Sequence, residues 1–175
     1  RDPAKLGAIV ERIVKVTVDY LAGQVAAGAD AVQLFDSWAG SLAPDQFERW
    51  VIAPTANIVA RLKARHPDVP IIGFPKGAGG KLGAYARETG VDAIGVDETV
   101  DPAWAAAVLP EGMPVQGNLD PLAVLAGGEA MRSAVRRILD AFRGGPHVFN
   151  LGHGIGKETP VAHVEELVRI VRGEG

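Results

Sequence analysis

Five short apolar runs, each followed by a helical pattern, most constrain what this chain can fold into. The runs predict strands over residues 31–35, 69–74, 93–96, 115–118 and 148–151. The segments between them are too long for hairpin turns, so the strands are predicted to be parallel, with right-handed crossovers. Two architectures satisfy this pattern: an open doubly wound sheet, or part of a (β/α)8 barrel. It could be only part of a barrel, because five strands cannot close an eight-stranded one.

The intervening segments carry helix signals. They predict helices over residues 3–27, 44–65, 81–89, 102–108, 121–126, 129–143 and 160–171. In the first, Asp2 can cap the N-terminus and Pro3 suits the first turn. Pro54 predicts a bend in the second helix, and Gly90 predicts the end of the third. The first helix has an apolar stripe at helical spacing: Leu6, Ile9, Val10, Ile13, Val14 and Val18.

Composition excludes several classes of function. The 175 residues fit one domain, and 47% hydrophobic and 22% charged residues are ordinary for a globular protein. A formal net charge of −3 argues against nucleic acid as the main partner. No apolar run approaches the roughly 18 residues that a bilayer-spanning helix needs, so no membrane partner is expected. The absence of cysteine excludes disulfides and Cys-ligated metal, and it fits a cytoplasmic protein.

Polar side chains follow the predicted strands, at the edge where ligands bind in either architecture. They are Asp36, Ser37, Lys76, Asp97, Glu98, Asn118, Asp120 and His153. The acidic residues can equally be solvated strand ends. Ser37 and His153 are the stronger functional candidates, because each follows a buried run beside small residues that leave space. His153 lies between two glycines, and an imidazole there can donate to a carboxylate or exchange a proton near neutral pH.

Other common sites are disfavoured. Gly77–Lys81 looks like a phosphate loop, but Pro75 and Leu82 occupy the positions of its required glycine and hydroxyl residue. Residues 152–156 lack the dinucleotide spacing, and Ser37 is not in a Gly-x-Ser-x-Gly elbow. No histidine pair has metal-ligand spacing, so no metal site is predicted. The remaining histidines are interpreted as structural: His66, His147 and His163.

Three motifs occur in a distinctive order and spacing: Leu34–Gly40 (LFDSWAG), Gly117–Pro121 (GNLDP) and Asn150–Gly154 (NLGHG). Over essentially the whole chain, they resemble the C-terminal half of the uroporphyrinogen decarboxylase family. The resemblance implies a single (β/α)8 TIM barrel, usually a homodimer, to which this chain contributes about the last five βα units. Residues 1–175 would then be the C-terminal part of one barrel domain, with the N-terminal part absent.

The resemblance also implies an activity. Family members remove the four acetate carboxyls of uroporphyrinogen III as CO2, giving coproporphyrinogen III in haem and tetrapyrrole synthesis, without a cofactor. By correspondence, Ser37 is the substrate-binding serine and Phe35 an aromatic lining the cleft. His153 corresponds to the active-site histidine, expected to act in both catalysis and substrate binding. The family's arginines, essential aspartate and active-site tyrosine belong to the first three strands, and Asp36 and Asp97 are not substitutes for that aspartate.

The resemblance predicts how the isolated chain behaves, and two alternative functions are also compatible with its fold. The chain alone should lack decarboxylase activity and should expose apolar faces and sheet edges. Methyltransferases that move a methyl between a cobalamin protein and a thiol such as coenzyme M resemble this family. They use zinc held by His and Cys, and the lack of cysteine argues against them. A non-catalytic porphyrin-binding domain would retain Ser37 and His153 for ligand capture alone.

Overall fold

The computed structural model describes residues 2–174 and divides the chain into two compact units, Arg1–Ile94 and Gly95–Gly175. The strands are β1 (Val32–Asp36), β2 (Ile71–Pro75), β3 (Ala93–Gly95), β4 (Val115–Leu119) and β5 (His147–Leu151). The α-helices are α1 (Pro3–Ala26), α2 (Pro44–Phe47), α3 (Ala53–Arg65), α4 (Leu82–Glu88), α5 (Pro102–Val108), α6 (Pro121–Ala126), α7 (Gly128–Ala141) and α8 (Val161–Val171). Strands follow one another in chain order, confirming the predicted parallel α/β alternation.

In the first unit, β2 pairs in parallel with β1 and with β3. Val32 lies opposite Ile71, and Gly73 lies opposite Ile94. Helix α1 packs along α3, and α4 packs on β2. The side chains buried most completely in this unit are Val14, Val18, Phe47, Leu62, Ile71, Leu82, Tyr85 and Ile94.

Helix α1 begins as predicted, and only part of its apolar stripe is buried. The Asp2 carboxylate accepts hydrogen bonds from two backbone N–H groups of the first turn. Of the predicted apolar stripe, Val14 and Val18 are buried. Three other members of the stripe are exposed: Leu6 (44%), Ile9 (58%) and Ile13 (56%). The pattern correctly indicates an apolar face, but only one side of that face packs on α3.

The helical segment over residues 44–65 is continuous, and a π-helical turn at Glu48–Ile52 lies just before Pro54. There the Ala53 N–H donates to the Glu48 carbonyl, five residues earlier. Pro54 has no N–H to donate, so the backbone bonding must change near this position. The wider turn accommodates the proline while the helix continues to Arg65.

In the second unit, β4 and β5 pair in parallel, from Val115 opposite His147 to Leu119 opposite Leu151. The chain following β3 joins the same ladder through a hydrogen bond from the Val96 N–H to the Gln116 carbonyl, 2.8 Å long. Helix α7 packs against α5, α6 and α8. The apolar core of this unit comprises Val96, Leu119, Val124, Met131, Val135 and Ile138. Within residues 2–174, no helix combines the length and apolar character required to cross a bilayer.

Tyr85 in α4 is the largest fully buried side chain of the first unit. Its ring lies over Gly73 of β2, where a Cβ would come within 2.6 Å of a ring carbon. Burial raises the pKa of the Tyr85 hydroxyl to about 12, the negative charge of Asp36 adds to the shift, and a hydrogen bond with Thr55 opposes it. The neutral phenol is therefore part of the folded core.

We predict that this burial lowers the free energy of unfolding of the protein at high pH. The unfolded phenol ionises near its ordinary value of 10.0 and the folded one near 12, so the stabilising contribution is complete below pH 10 and is lost as pH rises toward 12. Urea denaturation at several pH values measures the decline in the free energy of unfolding. Tyr85→Phe should make that decline smaller by about 1–3 kcal/mol. Tyr20→Phe, at an exposed position, is the control and should leave the decline intact. An identical decline in Tyr85→Phe would contradict the assignment.

Candidate functional site

Phe35 and Ser37 lie at the carboxyl end of β1, in the first unit. The Phe35 side chain is 70% exposed, and its ring packs edge-on against Phe74 of β2, with 5.7 Å between ring centroids. Ser37 is also exposed. The Asp36 carboxylate accepts a hydrogen bond from the Trp38 N–H at 3.1 Å, which holds the bend that carries Ser37. An open aromatic ring and an open hydroxyl therefore lie two residues apart.

The glycine-rich stretch after β2 braces this bend. A Cβ on Gly40 would lie 2.7 Å from the carbonyl carbon of Gly77, so the two loops approach as closely as backbone allows. The Lys81 ammonium group donates to the carbonyls of Gly40 at 3.2 Å and Leu42 at 2.8 Å. Gly77 and Lys81 therefore make structural contacts with the loop after β1. The sequence pattern did not reveal this role of Lys81, because its partners lie about 40 residues away.

His153 lies just beyond β5, in the second unit, and its side chain is exposed. The residue before it, Gly152, is buried; its N–H donates to the Leu119 carbonyl at 2.8 Å. A Cβ on Gly152 would lie 2.7 Å from the Cα of Glu98, whereas Gly154 has open space around it. His153 is thus an accessible imidazole attached to tightly packed backbone.

Two of the other histidines, interpreted from the sequence as structural, make contacts within the second unit. His147 Nε2 lies 2.7 Å from the Gly117 carbonyl oxygen, and its ring packs against Phe142 with 4.8 Å between centroids. His163 Nδ1 lies 2.9 Å from the Val124 carbonyl oxygen. Both rings therefore hold backbone carbonyls inside the second unit.

The acidic residues at the strand ends organise local backbone. The Asp97 carboxylate accepts hydrogen bonds from the N–H of Thr99 at 2.9 Å and from the Thr99 hydroxyl. The Asp120 carboxylate caps α6 by accepting from the Leu122 N–H at 2.8 Å. With Asp36 in the bend after β1, three carboxylates of the predicted polar edge have turn or cap contacts.

Ser37 and Phe35 belong to one compact unit and His153 to the other. That they face one cavity stays a prediction. In the part of the chain that the structure describes, no group of three or more His, Cys, Asp or Glu side chains is arranged to hold a metal ion. The carboxyl end of β1 presents an aromatic surface and a hydroxyl, and the carboxyl end of β5 presents an imidazole.

Comparison with known proteins gives this chemistry a context. The sequence model of the uroporphyrinogen decarboxylase (URO-D) family matches residues 1–173. The uroporphyrinogen decarboxylase of Rhizorhabdus wittichii is 71% identical over 173 residues, which are 99% of this chain and 50% of that protein. Those of Sphingopyxis alaskensis and Granulibacter bethesdensis are 70% and 54% identical, over 98% of this chain and 50% of each relative. The chain therefore spans about half the length of these relatives.

A solved structure supports the fold. A methyltransferase from Methanosarcina mazei superposes with a TM-score of 0.78 over 91% of this chain and 47% of that protein, at 20% sequence identity. At this identity the likeness concerns the fold alone. With a parallel α/β arrangement that matches about half of each relative, the chain has the fold expected of part of a barrel. The chain belongs to the uroporphyrinogen decarboxylase family.

Proposed function

We propose that this chain is the C-terminal part of a uroporphyrinogen decarboxylase that converts uroporphyrinogen III to coproporphyrinogen III. The observation that carries the proposal is the family match over residues 1–173, with Ser37 and His153 both exposed at carboxyl ends of strands. In parallel α/β proteins, that edge is where ligands bind.

The decarboxylation requires a group that accepts the electron pair of the broken bond. When an acetate loses CO2, the bond between its methylene and carboxyl carbons breaks, and the electron pair is accepted by a pyrrole that has first been protonated. The methylene then gains a proton and the pyrrole releases the one it took up, so the acetate becomes a methyl group with a net uptake of one proton. No net oxidation or reduction occurs, and we propose that the enzyme works without a cofactor.

The three candidate residues suit separate parts of this chemistry. The exposed Phe35 ring offers an apolar surface for a pyrrole face. The Ser37 hydroxyl can donate a hydrogen bond to a substrate carboxylate. The His153 imidazole can donate to a carboxylate or exchange a proton during the reaction, and we propose that it contributes to catalysis as well as to binding.

We propose that the remaining catalytic groups lie in a second half of the barrel. The relatives are about twice as long as this chain, and α1 presents a row of apolar side chains to solvent. Its most exposed members are Ile9, Ile13, Val16 and Tyr20, at 56–66% exposure. Covering them would contribute about 1.5–3 kcal/mol per large side chain. The family's arginines, aspartate and tyrosine would come from that half.

We further propose a homodimeric and cytoplasmic enzyme. The homodimer follows from the family resemblance, and the cysteine-free composition fits a reducing compartment. Light scattering of the full-length protein would measure the first, and fractionation of the source cells the second.

We predict that a chimera will restore the activity. In the Rhizorhabdus wittichii relative, the matching 173-residue stretch is replaced by this chain, and coproporphyrinogen III formation is followed by chromatography. The chimera should turn over uroporphyrinogen III. His153→Ala should lower kcat about 100-fold or more, and Ser37→Ala should mainly raise KM, about fivefold to tenfold. His66→Ala, at the end of α3, is the matched histidine control and should keep the activity of the chimera.

The outcomes separate the proposals. A folded chimera without turnover would overturn the proposed function. Unchanged kinetics in His153→Ala would instead show that the activity is right and the residue assignment is wrong.

We predict that the chain by itself is inactive and exposes apolar surface. It should bind a hydrophobic dye more strongly than the chimera does, because the exposed face of α1 remains uncovered. Adding the other half of the relative as a separate chain should reduce dye binding and restore turnover. Decarboxylation by the 175-residue chain alone would show that its catalytic groups have been assigned to the wrong half.

A further inference from the structure

A buried amide clamps the turn that follows β3. Asn118 of β4 is 4% exposed, and its side-chain nitrogen donates to the carbonyls of Asp97 at 3.0 Å and Val100 at 2.7 Å. These carbonyls belong to the two ends of one turn, which has a single longer backbone bond of its own, from the Val100 N–H to the Asp97 carbonyl at 3.3 Å. The Asn118 side chain therefore bonds both ends of this turn, which the Asp97 carboxylate also holds by accepting from the Thr99 N–H at 2.9 Å.

The orientation of the amide is fixed by its partners. Two carbonyl oxygens face one nitrogen, and turning the amide over would place its oxygen against both. The Asn118 oxygen is buried and has no hydrogen-bond partner among the described residues. An unpartnered buried acceptor is unfavourable. Both N–H donors of Asn118 thus bond to the turn, while its oxygen remains without a partner among the described residues.

The clamped turn touches the residue that precedes His153. A Cβ on Gly152 would lie 2.7 Å from the Cα of Glu98 and 2.8 Å from the carbonyl carbon of Asp97. On its other side, the Gly152 N–H is bonded to the Leu119 carbonyl at 2.8 Å. Gly152 therefore lies between the backbone of β4 and the backbone of the turn.

We propose that Asn118 is a positioning residue for His153. Its amide fixes the turn over residues 97–100, the turn forms the wall against which Gly152 packs, and Gly152 sets where the chain leaves β5. The significance of this for decarboxylation rests on the proposed function of His153. The placement itself rests only on contacts within the second unit.

The test uses the full-length chimera and two readouts that need no activity. In Asn118→Ala, loss of two hydrogen bonds should make the Gly152 amide exchange its hydrogen about tenfold faster. The ring resonance of His153, assigned with His153→Ala, should also shift. Gly73→Ala is the control for general destabilisation: its Cβ would collide with the Tyr85 ring in the first unit, far along the chain from the turn. It should change neither readout.

Kinetics provide the link to catalysis. In Asn118→Ala, the dependence of kcat on pH should change shape as His153 moves, whereas Gly73→Ala should keep the shape and lower only the amount of active enzyme. If Asn118→Ala leaves Gly152 exchange and the His153 resonance as they are in Gly73→Ala, the proposal is overturned. If the unaltered chimera folds but lacks activity, the proposed function fails, while exchange and resonance still decide the positioning role.

A second pair of variants tests the same contact if Asn118→Ala does not fold. Gly152→Ala places a methyl group against the Glu98 backbone and should shift the His153 resonance. Gly154→Ala, on the other side of His153, enters open space and is the matched control. Equal His153 resonances in these two folded variants would overturn the proposal.

Discussion

The structure depends on close approach between backbone segments just beyond the strands. At Gly40 the neighbouring backbone is that of Gly77, and at Gly152 it is that of Glu98; in both cases a Cβ would collide with backbone atoms rather than with a movable side chain. Van der Waals repulsion at these points is steep, so the loops have little freedom to shift. Each contact lies within three residues of a candidate functional side chain, Ser37 or His153. Tight backbone packing thereby positions side chains that are themselves exposed.

This arrangement separates two kinds of polar residue that look alike in the sequence. Asp36, Asp97 and Asp120 each accept a hydrogen bond from a backbone N–H two residues later, so their carboxylates are engaged locally. Ser37 and His153 have exposed side chains, with the means to donate hydrogen bonds to a ligand. The accessible candidate groups therefore lie on or beside loops whose backbone is organised by neighbouring carboxylates.

The sequence predicted the features that depend on neighbouring residues. It did not predict burial or hydrogen bonds that depend on residues distant in the chain. Strand and helix alternation, the Asp2 cap and the termination of α4 at Gly90, which has a φ of +75°, all follow from short-range rules and are confirmed. The exposure of Ile9 was not predictable, because periodicity identifies an apolar face but not what covers it. The bonds of Asn118 join residues 18 and 21 positions apart, and no local pattern encodes them. Family motifs indicated Ser37 and His153, but motifs do not give their separation.

The π-helical turn at Glu48–Ile52 limits how the length of this protein can change. Removing one residue from that turn would convert the segment to regular α-helix and rotate one side relative to the other by about 100°. Phe47 before the turn and Leu62 after it are both buried, so they could not keep their environments after such a rotation. Single-residue insertions and deletions are therefore expected to be excluded here in functional descendants of this sequence.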